Sequence, residues 1–178
     1  LVHPAMGRCF DTAERGESFD VFGQQHTVYD TTSDLYYHPY WRQEDLFIKE
    51  YRLEGTDTIH QLDVPIDYIV GSGQHTNSHL YTEKGYIYQA PITFYVQEGK
   101  WDLAPGFEGG NNSRFSRVLN VECISCHNAM PKLENNSDFK FTDIGQGIDC
   151  ERCHGPGELH VKQRQQGKGV DTKVAIDP

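Results

Sequence analysis

No apolar run in this chain approaches the roughly 18–20 residues that crossing a bilayer takes, so no membrane span is expected. Clusters of cations are missing as well. The 16 Lys and Arg are outnumbered by 26 Asp and Glu, giving a net charge of −10. A surface of that sign repels phosphate, which excludes nucleic acid as a partner. It suits solubility or a basic partner instead. Methionine is nearly absent, with Met6 and Met130 the two in the chain. Apolar side chains make up only 37% of the 178 residues and the mean hydropathy is −0.66, a thin stock for the core of one domain. Beyond one doubled cysteine motif there is no internal repeat. The sequence opens at Leu1 without an initiator Met and ends at Pro178 without a recognisable terminal element. A segment of a longer or processed polypeptide is therefore expected, one whose export signal has been removed.

What is present is concentrated in the last third, where Cys123-Ile124-Ser125-Cys126-His127 is answered by Cys150-Glu151-Arg152-Cys153-His154. Each is a CxxCH string, the pattern for covalent attachment of haem c. The spacing has a chemical reason. Two thiols one helical turn apart reach the two vinyl groups of one porphyrin, while the His that follows meets the iron from the same side. Cys123, Cys126, Cys150 and Cys153 are thus expected to hold two haems, with His127 and His154 as the proximal ligands. Two CxxC pairs at this separation also fit a four-cysteine zinc ribbon, but that reading leaves both histidines unexplained in a chain with only 9. A thioredoxin-like redox pair is disfavoured, because neither CxxC follows a strand in a βαβ pattern. Porphyrin faces would also make good the thin apolar stock, since each contributes a large apolar surface. Covalent haem attachment takes place outside the cytoplasm, so a periplasmic or extracellular location is expected. The fifth cysteine, Cys9 in Gly7-Arg8-Cys9-Phe10-Asp11, belongs to no haem motif and reads as buried and inert.

The ligand on the far side of each iron decides function: a Met raises the potential, a second His gives a low-potential carrier, and an empty position permits catalysis. Against two methionines stand His3, His26, His38, His60, His75, His79 and His160 outside the motifs, so supply favours bis-histidine ligation. His160 follows His154 too closely to cap the same iron, because the path of about 9 Å runs along one side of the ring. As a ligand it would serve a neighbouring haem. His75 sits among Gly71, Gly73 and Gln74, and glycines let a backbone fold close against a flat cofactor. His79, one helical turn further on, could take its place. His26, His38 and His60 lie in strand-like segments and read as hydrogen-bonded surface or core residues.

The expected fold class is α+β: an antiparallel β-rich part over residues 1–109, followed by a helix and loop haem-binding part over residues 110–178, the two integrated in one domain. Residues 1–20 read as irregular. From about residue 19 to 97 short strand patterns follow one another, with clear alternation at Leu62, Val64 and Ile66 and again at Ile92, Phe94 and Val96. Glu83-Lys84-Gly85 and Glu98-Gly99-Lys100 read as turns. A short helix is predicted over about 113–128, carrying the first motif, then a loop over 129–147 and a helical turn at 150–154. Pro156 opens a last helix to about Gln166, which Gly167 and Gly169 stop.

The string Gly147-Ile148-Asp149-Cys150-Glu151-Arg152-Cys153-His154-Gly155-Pro156-Gly157-Glu158-Leu159-His160 resembles the CE-x-CHGPG-x-x-H of the multihaem c-type cytochromes with paired CxxCH motifs. Gly71-Ser72-Gly73-Gln74-His75, Ser78-His79-Leu80, Tyr88-Gln89-Ala90-Pro91-Ile92, Trp101 and Pro105-Gly106-Phe107 are similar to the same group's GSG-x-H, YQ-x-P-I and W-x-x-x-PG segments. The likeness spans about residues 66–161. His3-Pro4-Ala5-Met6 resembles the H-x-x-M that follows a first haem motif in the group, whose members usually carry further CxxCH motifs. The resemblance implies electron transfer through closely packed, mostly bis-histidine haems, with His75, His160 and His3 as distal ligands and other redox proteins or cytochromes as partners. Two alternatives stay open. One is an enzyme that reduces or oxidises a small nitrogen or sulfur oxyanion at an open iron, although the chain shows no evident Lys and Arg cluster to hold an anion. The other is a module of a larger haem assembly, even a polymeric filament, whose ligands cross between subunits.

Overall fold

Alternating apolar and polar residues, punctuated by turn residues, give the chain its strands. The computed structural model describes residues 5–15, 20, 22, 26–149, 152 and 158–167. Strands β1 (Phe10–Thr12), β6 (Tyr68–Val70), β7 (Thr76–Glu83), β8 (Tyr86–Tyr95) and β10 (Arg117–Leu119) lie side by side in that order in one antiparallel sheet. Strand β9 (Lys100–Leu103) shares the outer edge of β8 with β10, taking Ile92 to Tyr95 while β10 takes Ile87 to Gln89. A second sheet is a meander of β2 (Val28–Asp30), β3 (Leu35–Arg42), β4 (Asp45–Glu54) and β5 (Asp57–Ile66). The hairpin from β7 to β8 turns through Lys84 (φ +52°) and Gly85 (φ +87°), the paired left-handed residues that a two-residue turn demands.

The two sheets share one core. Leu35, Tyr37, Leu46, Ile48, Val64 and Ile66 from the four-stranded sheet are buried against Ile69, Ala90, Ile92, Phe94 and Trp101 from the other. Side chains alternate across a strand, so Ile87 and Leu80 point from the opposite face of the six-stranded sheet. There they form a second core with Phe10, Ile124 and Phe141. The six-stranded sheet is thus a central layer, covered on one side by the meander and on the other by chain from the last third.

That arrangement corrects the expected α+β class. The fold is antiparallel β for most of the described chain, and among the described residues no helix and loop haem-binding part follows the strands. The stretch read as a helix over 113–128 is a 3₁₀ turn (Arg114–Ser116), strand β10 and only five residues of helix α1 (Val121–Ser125). The stretch read as a loop over 129–147 contains the hairpin of β11 (Lys132–Leu133) and β12 (Phe141–Asp143). The physical reason begins at Arg114. Its backbone takes φ +54°, which no α-helix allows, because its guanidinium reaches the fully buried Glu50 carboxylate on β4, with Nε at 2.9 and 3.0 Å from the two oxygens. Asn112 fixes the same loop, donating to Asp30 at 2.8 Å and to the Tyr37 hydroxyl at 3.1 Å. Beyond Ser116 the free edge of β8 then offers Arg117, Val118 and Leu119 a better set of backbone partners than a helix would.

Helix α2 (Glu158–Gln165) ends as read, with Gly167 at φ +68°. Among the described residues no helix is long and apolar enough to cross a membrane.

Candidate functional site

Helix α1 is short but well started. Asn120 caps it by accepting a hydrogen bond from the Cys123 amide at 3.1 Å. Ile124, 2% exposed, is the residue that fastens the helix to the second core. Its burial dictates the rest: with Ile124 turned to the sheet, Cys123, Cys126 and His127 are all exposed on the outward side. Both thiols are free. The backbone is locked just past the motif, where His127 and Asn128 amides both reach the Ile124 carbonyl at 3.0 Å. Asn128 is fully buried and its side-chain amide donates to the Gly145 carbonyl.

A third layer of support comes from the start of the chain. The buried Cys9 thiol donates to the His127 carbonyl at 3.3 Å, and burial pushes its pKa up, opposed by a backbone contact with Ile148. The Gly147 amide donates to the Phe10 carbonyl at 2.8 Å. A Cβ on Gly147, whose φ is +49°, would fall 2.1 Å from the Gly7 carbonyl oxygen. The segment from the 3₁₀ turn Ala5–Arg8 into β1 therefore runs between His127 and residues 147–148, and ties the end of the first motif to the residues that precede the second. Cys9 was legible in the sequence as buried, but nothing there signalled its contact with the His127 carbonyl.

These residues fit a haem. A porphyrin takes one protein nitrogen from each side and two thioether bonds, not a closed cage of ligands. One outward surface that carries two free thiols and an imidazole would supply both thioethers and one of the two nitrogens. Among the described residues no group of three or more His, Cys, Asp or Glu is gathered to hold a bare metal ion.

The other predicted residues are dispersed. His75 is exposed at the head of β7, at the end of the β7–β8 hairpin remote from the turn, with its Nδ1 3.0 Å from the Gln97 amide. His79 points the other way, into the core between the sheets. It is fully buried, 2.8 Å from the Asp20 carboxylate and 4.5 Å from the Trp101 ring centre. Asn77 also donates to Asp20, at 2.7 Å. In this fold His79 is a core residue and not a substitute for His75. His160 lies on α2. His3, Cys150, Cys153 and His154 lie outside the described residues.

Residues 109–155 match the family described as cytochrome c554 and c-prime. That match supports a c-type cytochrome. That family implies covalently bound haem c and electron transfer. The matched stretch is a minority of the chain, but it contains both CxxCH strings. No curated protein and no solved structure matches the chain.

Proposed function

We propose that this chain is a multihaem c-type cytochrome, exported from the cytoplasm, that passes electrons between redox proteins through two covalent haems. The observation that carries the reading is the outward cluster of Cys123, Cys126 and His127 inside a cytochrome-like stretch that goes on to repeat the same string at Cys150, Cys153 and His154. His127 and His154 are the proximal ligands. His75, His160 and His3 are the distal candidates. For His75 the geometry is favourable: Gln97 occupies Nδ1, which orients the ring and leaves Nε2 for an iron. Its place away from α1 suits a haem other than the one at His127, so ligands that cross between chain segments or subunits belong to the same proposal. A haem closed on both sides is a carrier rather than a catalyst.

The test counts haem and then probes it. Intact mass and the pyridine haemochrome spectrum are expected to give two covalent haems per chain, and the double variant Cys150→Ala with Cys153→Ala is expected to give one. Colourless protein, or colour that acidified acetone extracts, would overturn covalent attachment. Ready binding of carbon monoxide by the reduced protein would overturn simple carriage at that iron.

A further inference from the structure

The outer face of the four-stranded sheet, turned away from both cores, carries features that haem attachment does not use. Aromatic rings stack along it between cross-strand partners: Tyr29 on Tyr36 at 4.4 Å and Tyr36 on Tyr51 at 5.3 Å between ring centres. Beyond Tyr51 the ladder is interrupted. The register of β4 and β5 shifts between Glu50 and Arg52, and His60 takes a left-handed backbone with φ +50°, a conformation that costs a residue with a Cβ about 1 kcal/mol or more. An open cavity of about 440 Å³ lies here against Tyr51, bordered by Lys49, Leu53, His38, Thr27, Thr58 and Gln61. That volume is within the usual range for small-molecule sites.

The charge of this cavity is opposite to that of the molecule. In a chain of net charge −10 its border among the described residues has a lysine and a histidine and no carboxylate. Asp63, which faces Lys49 across the two strands, is engaged elsewhere, by the Tyr40 hydroxyl at 2.8 Å, the Gln61 amide at 3.1 Å and Arg42 at 3.8 Å. The His38 ring is held through Nδ1 by Thr27 at 3.0 Å. Burial, then the positive charges of Lys49 and His26, hold its pKa below the ordinary value. His26 Nε2 is itself buried with no hydrogen-bond partner among the described residues, and an orphaned buried nitrogen calls for an explanation. Lys49 and His38 thus lie together beside the apolar wall of Tyr51 and Leu53, and the carboxylate across from Lys49 is held by Tyr40, Gln61 and Arg42.

We infer that this cavity binds a small organic carboxylate, whose oxygens lie between Lys49 and His38 and whose apolar body rests against Tyr51 and Leu53. An ammonium and an imidazole can share one carboxylate through charge-assisted hydrogen bonds, and the aromatic wall discriminates an organic anion from a mineral one. Calorimetry on the holoprotein with benzoate as probe tests it, with inorganic phosphate as the comparison. Benzoate is expected to bind saturably and to raise the His38 pKa, followed by the imidazole proton resonances. Lys49→Met is expected to weaken binding at least about tenfold with an unchanged thermal transition, and Thr58→Trp, at an exposed strand position, is expected to fill the cavity and abolish it. No saturable benzoate binding, equal affinity in Lys49→Met, or binding of phosphate alone would overturn the proposal. None of these readouts depends on the haem count.

Discussion

Arg114 holds a backbone conformation that its side chain must justify, and Glu50 is the justification. The carboxylate is fully buried, so an unanswered charge there is costly, whereas the guanidinium that answers it is half exposed. The Glu50 contact raises the Arg114 pKa above its already high ordinary value. Arg114→Leu is expected to cost about 3 kcal/mol, the low end for breaking a buried pair because water can enter from the arginine side. Urea denaturation would show this as a lower midpoint with an unchanged slope, and a loss below about 1 kcal/mol would show that the pair is expendable. At this scale the sequence was legible where chemistry imposes a fixed spacing. Cys123, Cys126 and His127 stand out as one group because attachment through two thioethers and one iron bond would admit few arrangements, and the structure leaves all three exposed. The partners of buried polar groups could not be read. Nothing near Asp20 announces His79, nor anything near Cys9 the carbonyl of His127, since both contacts join residues distant along the chain.

Among the elements, the first segment of the chain and the loop after β12 are held together at a point of backbone contact, Gly7 against Gly147. A methyl group at residue 147 has no room, and the left-handed φ there adds strain of about 1 kcal/mol or more. Gly147→Ala is expected to lift the segment around Cys9 off the loop. Thiol-reactive reagents would then label Cys9 faster than in the parent protein, and overpacking would lower stability by about 1–3 kcal/mol. Unchanged labelling would mean that the loop yields instead. The strands were readable because period-two alternation at Ile92 and Phe94 and the Lys84-Gly85 turn are local signals. The helix expected over 113–128 failed for a non-local reason: the pull of Glu50 on Arg114 and the open edge of β8 beside Arg117–Leu119 outweigh local helix preference.

The whole molecule buries phenols as well as apolar side chains. Burial, then the neighbours Tyr88 and Glu83, push the Tyr81 pKa up to about 12, and burial, then Glu50, pushes Tyr37 in the same direction. An unfolded phenol ionises near 10. The fold therefore favours the neutral form, and this contribution to stability is complete below about pH 10 and is lost as pH rises through about 12. Alkaline titration is expected to show these tyrosinates appearing together with the loss of β-sheet circular dichroism. Free ionisation near pH 10 with the sheet signal intact would contradict the burial of both rings. The layered architecture was only half legible. Strands could be counted from the sequence, but which face of the central sheet would receive α1 depends on the parity of Ile87 against Ile92, a distinction that appears only once the register is fixed.

That parity has a consequence for traffic through the protein. Helix α1 rests on one side of the central sheet and the meander on the other, with about 10 Å between packed sheets. A porphyrin held at Cys123 and Cys126 would be separated from the meander's outer surface by both sheets of hydrogen-bonded backbone. On the reading proposed above, a ligand beside Tyr51 and a porphyrin on α1 would lie on opposite sides of both sheets, and binding of one is expected to leave the other undisturbed.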